Sequence, residues 1–240
     1  MKGLILKNLY DSLPAYLNQS LRLKEQFKKL GVKSDIMPNS PARIGLDGNG
    51  NIIHGYDGYD FCVYLDKDKY CSYLLEKSGM RLFNRHDAVR ACDDKMTTHS
   101  RLALSGIKMP ATVPGALCYS EAPLDLSVID GVESKLGYPV VVKTCYGSLG
   151  NGVHLAKNRK ELIDLAKKYR RTPHLFQKFI AESAGRDIRV ITVGGQTVAA
   201  MERKSAGDFR SNLELGGTGS AIKPDTELQK LCKGFGHIKP

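Results

Sequence analysis

The chain has 240 residues, 42% hydrophobic and 25% charged, enough for a substantial core and for two domains, or one domain plus a smaller one. Its formal net charge of +11 points to an anionic partner: nucleic acid, an acidic membrane surface, or a polyanionic small molecule such as ATP. The 36 basic residues are scattered rather than blocked together, and no stretch approaches the ~20 apolar residues of a membrane helix. A helical membrane span is excluded, and a soluble, cytoplasmic protein is expected.

From the N-terminus, residues 3–7 (GLILK) read as a buried strand. Asp11, Ser12 and Pro14 introduce a helix over 15–30, with Leu23, Phe27 and Leu30 at helical spacing and Gly31 just past its end. Residues 32–37 form a second strand, so this β-α-β unit predicts a parallel sheet. The turn-rich stretch 38–58 contains Asp47-Gly48 and Asn49-Gly50, a signal for a small hairpin. A strand over 60–65, a short helix over 69–78 and a strand at 81–83 complete a compact α/β domain.

Residues 93–105 carry helical character up to Gly106, after which Pro110, Pro114 and Pro123 punctuate a connecting region of little periodicity. A helix over 128–136 precedes a strand at 140–143, a glycine-bearing loop and a strand at 153–156. Over 158–170, Asn158 caps a helix with Glu161 at its third position and Leu162, Leu165, Ala166 and Tyr169 on one face. The basic run 167–171 falls at its end, where cations complement the helix dipole. The segment 174–180 follows. Residues 187–193 and 196–203 alternate in polarity around Gly194-Gly195, an antiparallel hairpin. No repeat or low-complexity segment is visible.

Chemistry concentrates in 138–152 (YPVVVKTCYGSLGNG), where an apolar run ends in Lys143 and opens into a loop carrying Gly147, Gly150 and Gly152. Such a loop suits phosphate, because glycines let backbone N–H groups approach anionic oxygens and the ammonium adds a point charge. No Gly-Lys-Ser/Thr closes it and no GxGxxG is present, so a nucleotide would sit on a strand–loop–strand rather than at a helix N-terminus. On these residues alone, the plainer reading is a glycine-rich turn with a solvated lysine. Cys62, Cys71, Cys92, Cys118, Cys145 and Cys232 lack zinc-ligand spacing, and the six histidines are dispersed, so the thiols are expected to be reduced and mostly buried.

In this order the pieces resemble the RimK-type ATP-grasp ligases, amino-acid ligases that add glutamate or a similar residue to a carboxylate. The resemblance runs from about residue 82 to 231. It rests on DDKMTTHSRLALSGIKMP (93–110), YPVVVKTCYGSLGNGV (138–153), LFQKFIAES (175–183), GRDIRVITVGGQTVAAMERK (185–204) and, most specifically, GDFRSNLELGG (207–217). It implies an α/β ATP-grasp fold: a small Rossmann-like pre-ATP-grasp domain over 1–90, then 91–240 as a central lobe (91–173) and an incomplete C-terminal lobe (174–240). It also implies ATP as cosubstrate, an amino acid such as glutamate, a carboxylate acceptor that is a protein C-terminus or a small molecule, and a homo-oligomer.

By position, Lys95 matches the first family lysine that reaches the nucleotide phosphates; by itself it reads as a solvated helix lysine. Lys143 matches the second, at a strand end near the α-phosphate. Gly147, Ser148, Gly150 and Gly152 match the mobile loop over the β- and γ-phosphates. Gln177, Lys178, Phe179 and Ile180 match the strand whose backbone hydrogen-bonds adenine, with Lys178 where the family often has Glu. Asp187 matches the ribose-binding acid, or is a strand-start aspartate facing water. Arg203, Arg210, Ser211 and Asn212 match the cluster facing the triphosphate and acyl phosphate, Arg203 and Arg210 being the catalytic candidates. One of these arginines could instead pair with Glu202 or Asp208.

The family's metal ligands lie further on, as an Asp and then a Glu-x-Asn motif. After Asn212 this chain has only the carboxylates Glu214, Asp225 and Glu227, with a helix expected over 225–231. No metal ligand is therefore assigned; those for Mg2+ or Mn2+ are expected beyond Pro240, the chain reads as truncated, and an apolar sheet edge is expected to be exposed. The expected function is ATP-dependent carboxylate–amine ligation through an acyl phosphate. The alternatives are an ATP-binding but inactive module, and a nucleic-acid-binding protein, which only the charge favours.

Overall fold

The computed structural model describes residues 1–11, 13–193 and 196–235. Ser12 and the expected Gly194-Gly195 turn lie outside the described residues. The chain divides into two compact units, Met1–Cys92 and Asp93–Pro240.

In the first unit β1 (Lys2–Lys7) leads to α1 (Pro14–Lys29), which takes Pro14 into its first turn, where the missing N–H costs nothing. β2 (Lys33–Pro38) returns parallel to β1, with Ile5 opposite Ile36. β3 (Ile44–Leu46) and β4 (Ile52–His54) form the expected hairpin. Its turn is held by the Asp47 carboxylate, which accepts from Asn49 N at 2.9 Å and Asn51 N at 2.7 Å. β5 (Phe61–Leu65) joins β1 on its other side, α2 (Lys69–Lys77) is capped by Asp68, and β6 (Leu82–Phe83) completes the sheet order β2-β1-β5-β6, parallel throughout. Central strands of such a sheet are covered on both faces. Leu4, Leu6, Cys62 and Tyr64 pack with Cys71 and Leu75 of α2, while Phe61 meets the Phe27 ring of α1 edge-on at 5.5 Å. Burial pushes the Cys62 and Cys71 thiols up to about 12, as buried, free cysteines require.

The helix expected over 93–105 is present but shorter at both ends, and a helix just before it was not expected. α3 (His86–Asp93) ends at the first aspartate of the pair, and α4 (Lys95–Leu102) begins after the second. Asp94 cannot continue α3 because its carboxylate accepts from Met96 N at 2.8 Å and Thr97 N at 3.0 Å, the N-cap arrangement. The helix stops before Ser105 because Leu104 takes φ 64°, a left-handed conformation a helix cannot propagate.

The second unit continues with β7 (Thr112–Pro114), α5 (Leu126–Leu136), β8 (Val140–Thr144), β9 (Val153–Ala156), α6 (Arg159–Tyr169) and β10 (His174–Lys178). These strands form an antiparallel sheet in the order β7-β10-β8-β9. β7 was not expected: it lies in the proline-punctuated stretch, and three residues are too few to show alternation. Side chains alternate along β8 and β10, so Val140, Val142 and Phe176 share a face and pack on Ile129, Val132, Leu162 and Ala166 of the two helices. Each such burial stabilises by roughly 1.5–3 kcal/mol. Asn158 caps α6 through Glu161 N at 3.0 Å.

β11 (Arg186–Val193) and β12 (Gln196–Lys204) pair antiparallel, and β13 (Thr218–Ala221), a strand absent from the sequence reading, adds to β12. α7 (Thr226–Phe235) follows, longer than the helix expected there. Among the described residues no helix is long and apolar enough to cross a membrane.

Candidate functional site

The sheet face opposite α5 and α6 carries the chemistry, and strand register explains why. Leu175 lies opposite Lys143, while Gln177 lies opposite both Val141 of β8 and Thr112 of β7. Opposed residues, and residues two apart, share a face. Thr112, Val141, Lys143 and Gln177 therefore emerge together on that face, with Val153 of β9 opposite Lys143.

There the Lys143 Nζ donates to Gln177 Oε1 at 2.6 Å. The Gln177 Nε2 donates to Thr112 Oγ1 at 2.9 Å and stands 3.1 Å from His99 Nε2. Lys95 and His99 are one turn apart on α4, hence on one side of that helix. The Lys95 Nζ donates to the carbonyls of Gly147 at 2.9 Å and Cys145 at 3.3 Å, tying α4 to the glycine loop. Burial, then the neighbouring Lys95 cation, pushes the Lys143 ammonium below the usual lysine range. Burial and then Lys143 hold His99 below the usual imidazole range.

A cleft of about 330 Å³ opens on these groups. Of the expected residues it is lined by Lys95, Lys143, Gln177, Lys178, Phe179, Ile180, Asp187, Arg210, Ser211 and Asn212, and Arg186 and Phe209 join them. Five of the lining residues are cationic, Lys95, Lys143, Lys178, Arg186 and Arg210, against one acidic residue, Asp187. Arg186 pairs with Glu202 and Arg210 with Asp208, while Lys95 and Lys143 lie together beside the glycine loop. Among the lining residues the Phe179 and Phe209 rings meet edge-on at 6.2 Å. The Lys178 N–H is committed to the Ala111 carbonyl at 2.9 Å.

Arg203, Gly147, Ser148, Gly150 and Gly152 are not among the lining residues. Arg203 is 8% exposed and grips Asp187 across the β11–β12 pair, with Nε to Oδ1 at 2.8 Å and Nη2 to Oδ2 at 2.5 Å. Its hydrogen bonds, the largest influence, hold the Asp187 carboxyl below the usual range despite the opposing effect of burial. Arg210 does pair with Asp208, at 2.6 Å through Nη2, and its Nη1 donates to the Gly150 carbonyl at 3.0 Å. It thereby bridges the glycine loop to the segment after β12. Gly150 and Gly152 have φ of 83° and 72°, and a Cβ on Gly152 would stand 2.3 Å from Thr144 Oγ1. The loop's tight return therefore needs glycine at that point.

Thr112 and His99 were not foreseen as site residues. His99 had a signal, its four-residue spacing from Lys95 on a helix; Thr112 had none, because only strand pairing brings it to Gln177. Among the described residues no group of three or more His, Cys, Asp or Glu gathers as a metal site. The cleft's carboxylate is already bonded twice by Arg203. The described side chains do not by themselves suit a divalent cation.

Two antiparallel sheets in one unit, with a cation-rich cleft and a glycine loop, form an ATP-grasp fold. A crystal structure of a RimK domain ATP-grasp protein from Sphaerobacter thermophilus superposes with TM-score 0.67 at 18% identity, covering 98% of this chain and 81% of that one. The family model for the RimK-like ATP-grasp domain matches residues 92–234, and the chain belongs to that family. The chain is 43% identical over 147 residues to N-acetylaspartylglutamate synthase A of Homo sapiens, covering 60% of this chain and 36% of that protein. It is 43% identical over 204 residues to beta-citrylglutamate synthase B of Danio rerio, covering 81% of this chain and 49% of that protein. The chain thus spans about half or less of the length of these curated relatives.

Proposed function

We propose that the cleft binds ATP and serves an ATP-dependent carboxylate–amine ligation, with glutamate as the amine, as the relatives' names suggest. The observation that carries this is the meeting of Lys95 and Lys143 in one cleft beside the glycine loop, in a chain of this family. A carboxylate oxygen attacks the γ-phosphorus and ADP leaves. The amine nitrogen then attacks the acyl-phosphate carbonyl, phosphate departs, and the nitrogen loses a proton to leave the amide. Negative charge on the transferring phosphoryl group is met by Lys95, Lys143 and Arg210, fixed donors in a partly dry site. Asp187 is aligned by Arg203 to accept from ribose hydroxyls. With the Lys178 N–H committed to Ala111 and the Ile180 carbonyl accepting from Ser183 N at 3.2 Å, the Phe179 backbone and the Ile180 N–H are the groups offered to the base.

A calorimetric titration with ATP tests the reading, together with ADP release in the presence of glutamate and a candidate carboxylate. Lys143→Met should weaken ATP by about 10- to 150-fold, the equivalent of about 1.5–3 kcal/mol for a charge-assisted hydrogen bond. Equal affinities would remove Lys143 from the site. ATP binding without ADP release would favour the second reading, a nucleotide-binding module.

A further inference from the structure

We propose that Gln177 is a positioning residue, whose side-chain amide, anchored by Thr112 and His99, fixes the Lys143 ammonium in the cleft. This rests on the reading of the cleft as an ATP site, where Gln177 would otherwise matter only through its backbone. The donors and acceptors decide the amide's orientation. An ammonium has only donors, so the atom 2.6 Å from Lys143 Nζ must be the amide oxygen. The amide nitrogen then points at Thr112 Oγ1, 2.9 Å away, and at His99 Nε2, 3.1 Å away. Both its protons are placed only if His99 Nε2 carries a lone pair, which puts the imidazole proton on Nδ1. That atom is buried and finds no partner among the described residues.

The arrangement is therefore polarised in one direction, from two acceptors through the amide to the lysine. Turning the amide over would set its N–H groups against the ammonium and its oxygen against Thr112 Oγ1, whose own proton goes to the Pro110 carbonyl 2.8 Å away, two clashes at once. Gln177 is 5% exposed, so water offers little competition for these partners. Lys143 has several rotatable bonds and is repelled by Lys95, so without a fixed acceptor its ammonium has no reason to remain where a phosphate needs it.

A double-mutant cycle on ATP affinity tests the proposal. Gln177→Leu should weaken ATP by about tenfold in the wild-type background and by less than about twofold in Lys143→Met, because Gln177 acts through the lysine. Thr112→Val leaves lysine and amide in place and should follow the same pattern with a smaller loss, which covers the case in which Gln177→Leu does not fold. Losses that add fully in the Lys143→Met background would overturn the proposal.

A second measurement is independent of ATP: the titration of the Lys143 ammonium, followed by NMR in isotope-labelled protein. Removing the acceptor should shift that titration to lower pH in Gln177→Leu, and an unmoved titration refutes the contact. Wild-type protein that fails to bind ATP while showing this shift would sink the nucleotide reading and leave the positioning of Lys143 standing.

Discussion

Arg203 provides the sharpest test of how the site recognises nucleotide, because it does not line the cleft and yet should control what the cleft binds. Asp187 and Arg203 are direct cross-strand partners on β11 and β12. The guanidinium side chain is 9% exposed and the carboxylate 42% exposed, so the arginine is buried and the acid faces the cleft. Two aligned bonds from Arg203, with a further contact from the Ser211 side chain, hold the carboxylate in one orientation and leave its remaining lone pairs for ribose hydroxyls. A hydrogen bond from a neutral hydroxyl to a charged group is worth about 1.5–3 kcal/mol, and the half-exposed carboxylate warrants discounting that to about 1–2 kcal/mol. Removing one ribose hydroxyl should therefore cost about 5- to 30-fold in affinity. In Arg203→Met the carboxylate loses its anchor, so ATP should bind more weakly and the difference between ATP and 2′- or 3′-deoxy-ATP should shrink toward unity. Arg203→Lys, with one point donor in place of a planar fork, should fall between. The assay is competitive titration of the three nucleotides against each variant. Wild-type protein that binds ATP and both deoxy analogues equally would refute the ribose role of Asp187. Discrimination that survives intact in Arg203→Met would refute the anchoring role of Arg203.

Two further predictions concern stability. Gly152→Ala forces a Cβ toward Thr144 Oγ1 at φ 72° and should destabilise by about 1–3 kcal/mol in urea denaturation, whereas Gly48→Ala, with open space around it, should stay within about 0.5 kcal/mol. His99, His154 and His174 are all held below the usual imidazole range, burial being the largest cause for each. Below the unfolded-state value of 6.5 the unfolded chain binds more protons than the folded one, so stability should fall as pH drops from about 6.5 through the folded-state values. A melting temperature that rises on acidification through this window would contradict the buried neutral assignment.

What the sequence discloses depends on how far apart the interacting residues lie along it. The β-α-β start, the Asp47 hairpin and the Asn158-capped helix were legible because their determinants sit within a few residues of one another. Lys143 was legible too, as the end of an apolar run, and the family resemblance carried its place in the site. The helix read across 93–105 begins two residues later than expected, because Asp94 can act in two opposite ways: as a polar helix residue or as a cap that starts a helix. The two-residue Asp93-Asp94 pattern does not choose between them; the backbone N–H groups of Met96 and Thr97 do. Harder still was the company Gln177 keeps. Thr112 and His99 are separated from it by 65 and 78 residues, and nothing local ties either one to Gln177. Only the register of β7 on β10 and the placement of α4 make them neighbours. The place of Lys143 at a strand end is thus readable from its own segment, but the acceptor that holds it is a property of strand pairing. The same holds for Arg203, which matches the phosphate-facing cluster by position while its guanidinium is directed by register to Asp187. Motif position locates the site, and the pairing of strands decides which side chain within it meets the ligand and which one holds another in place.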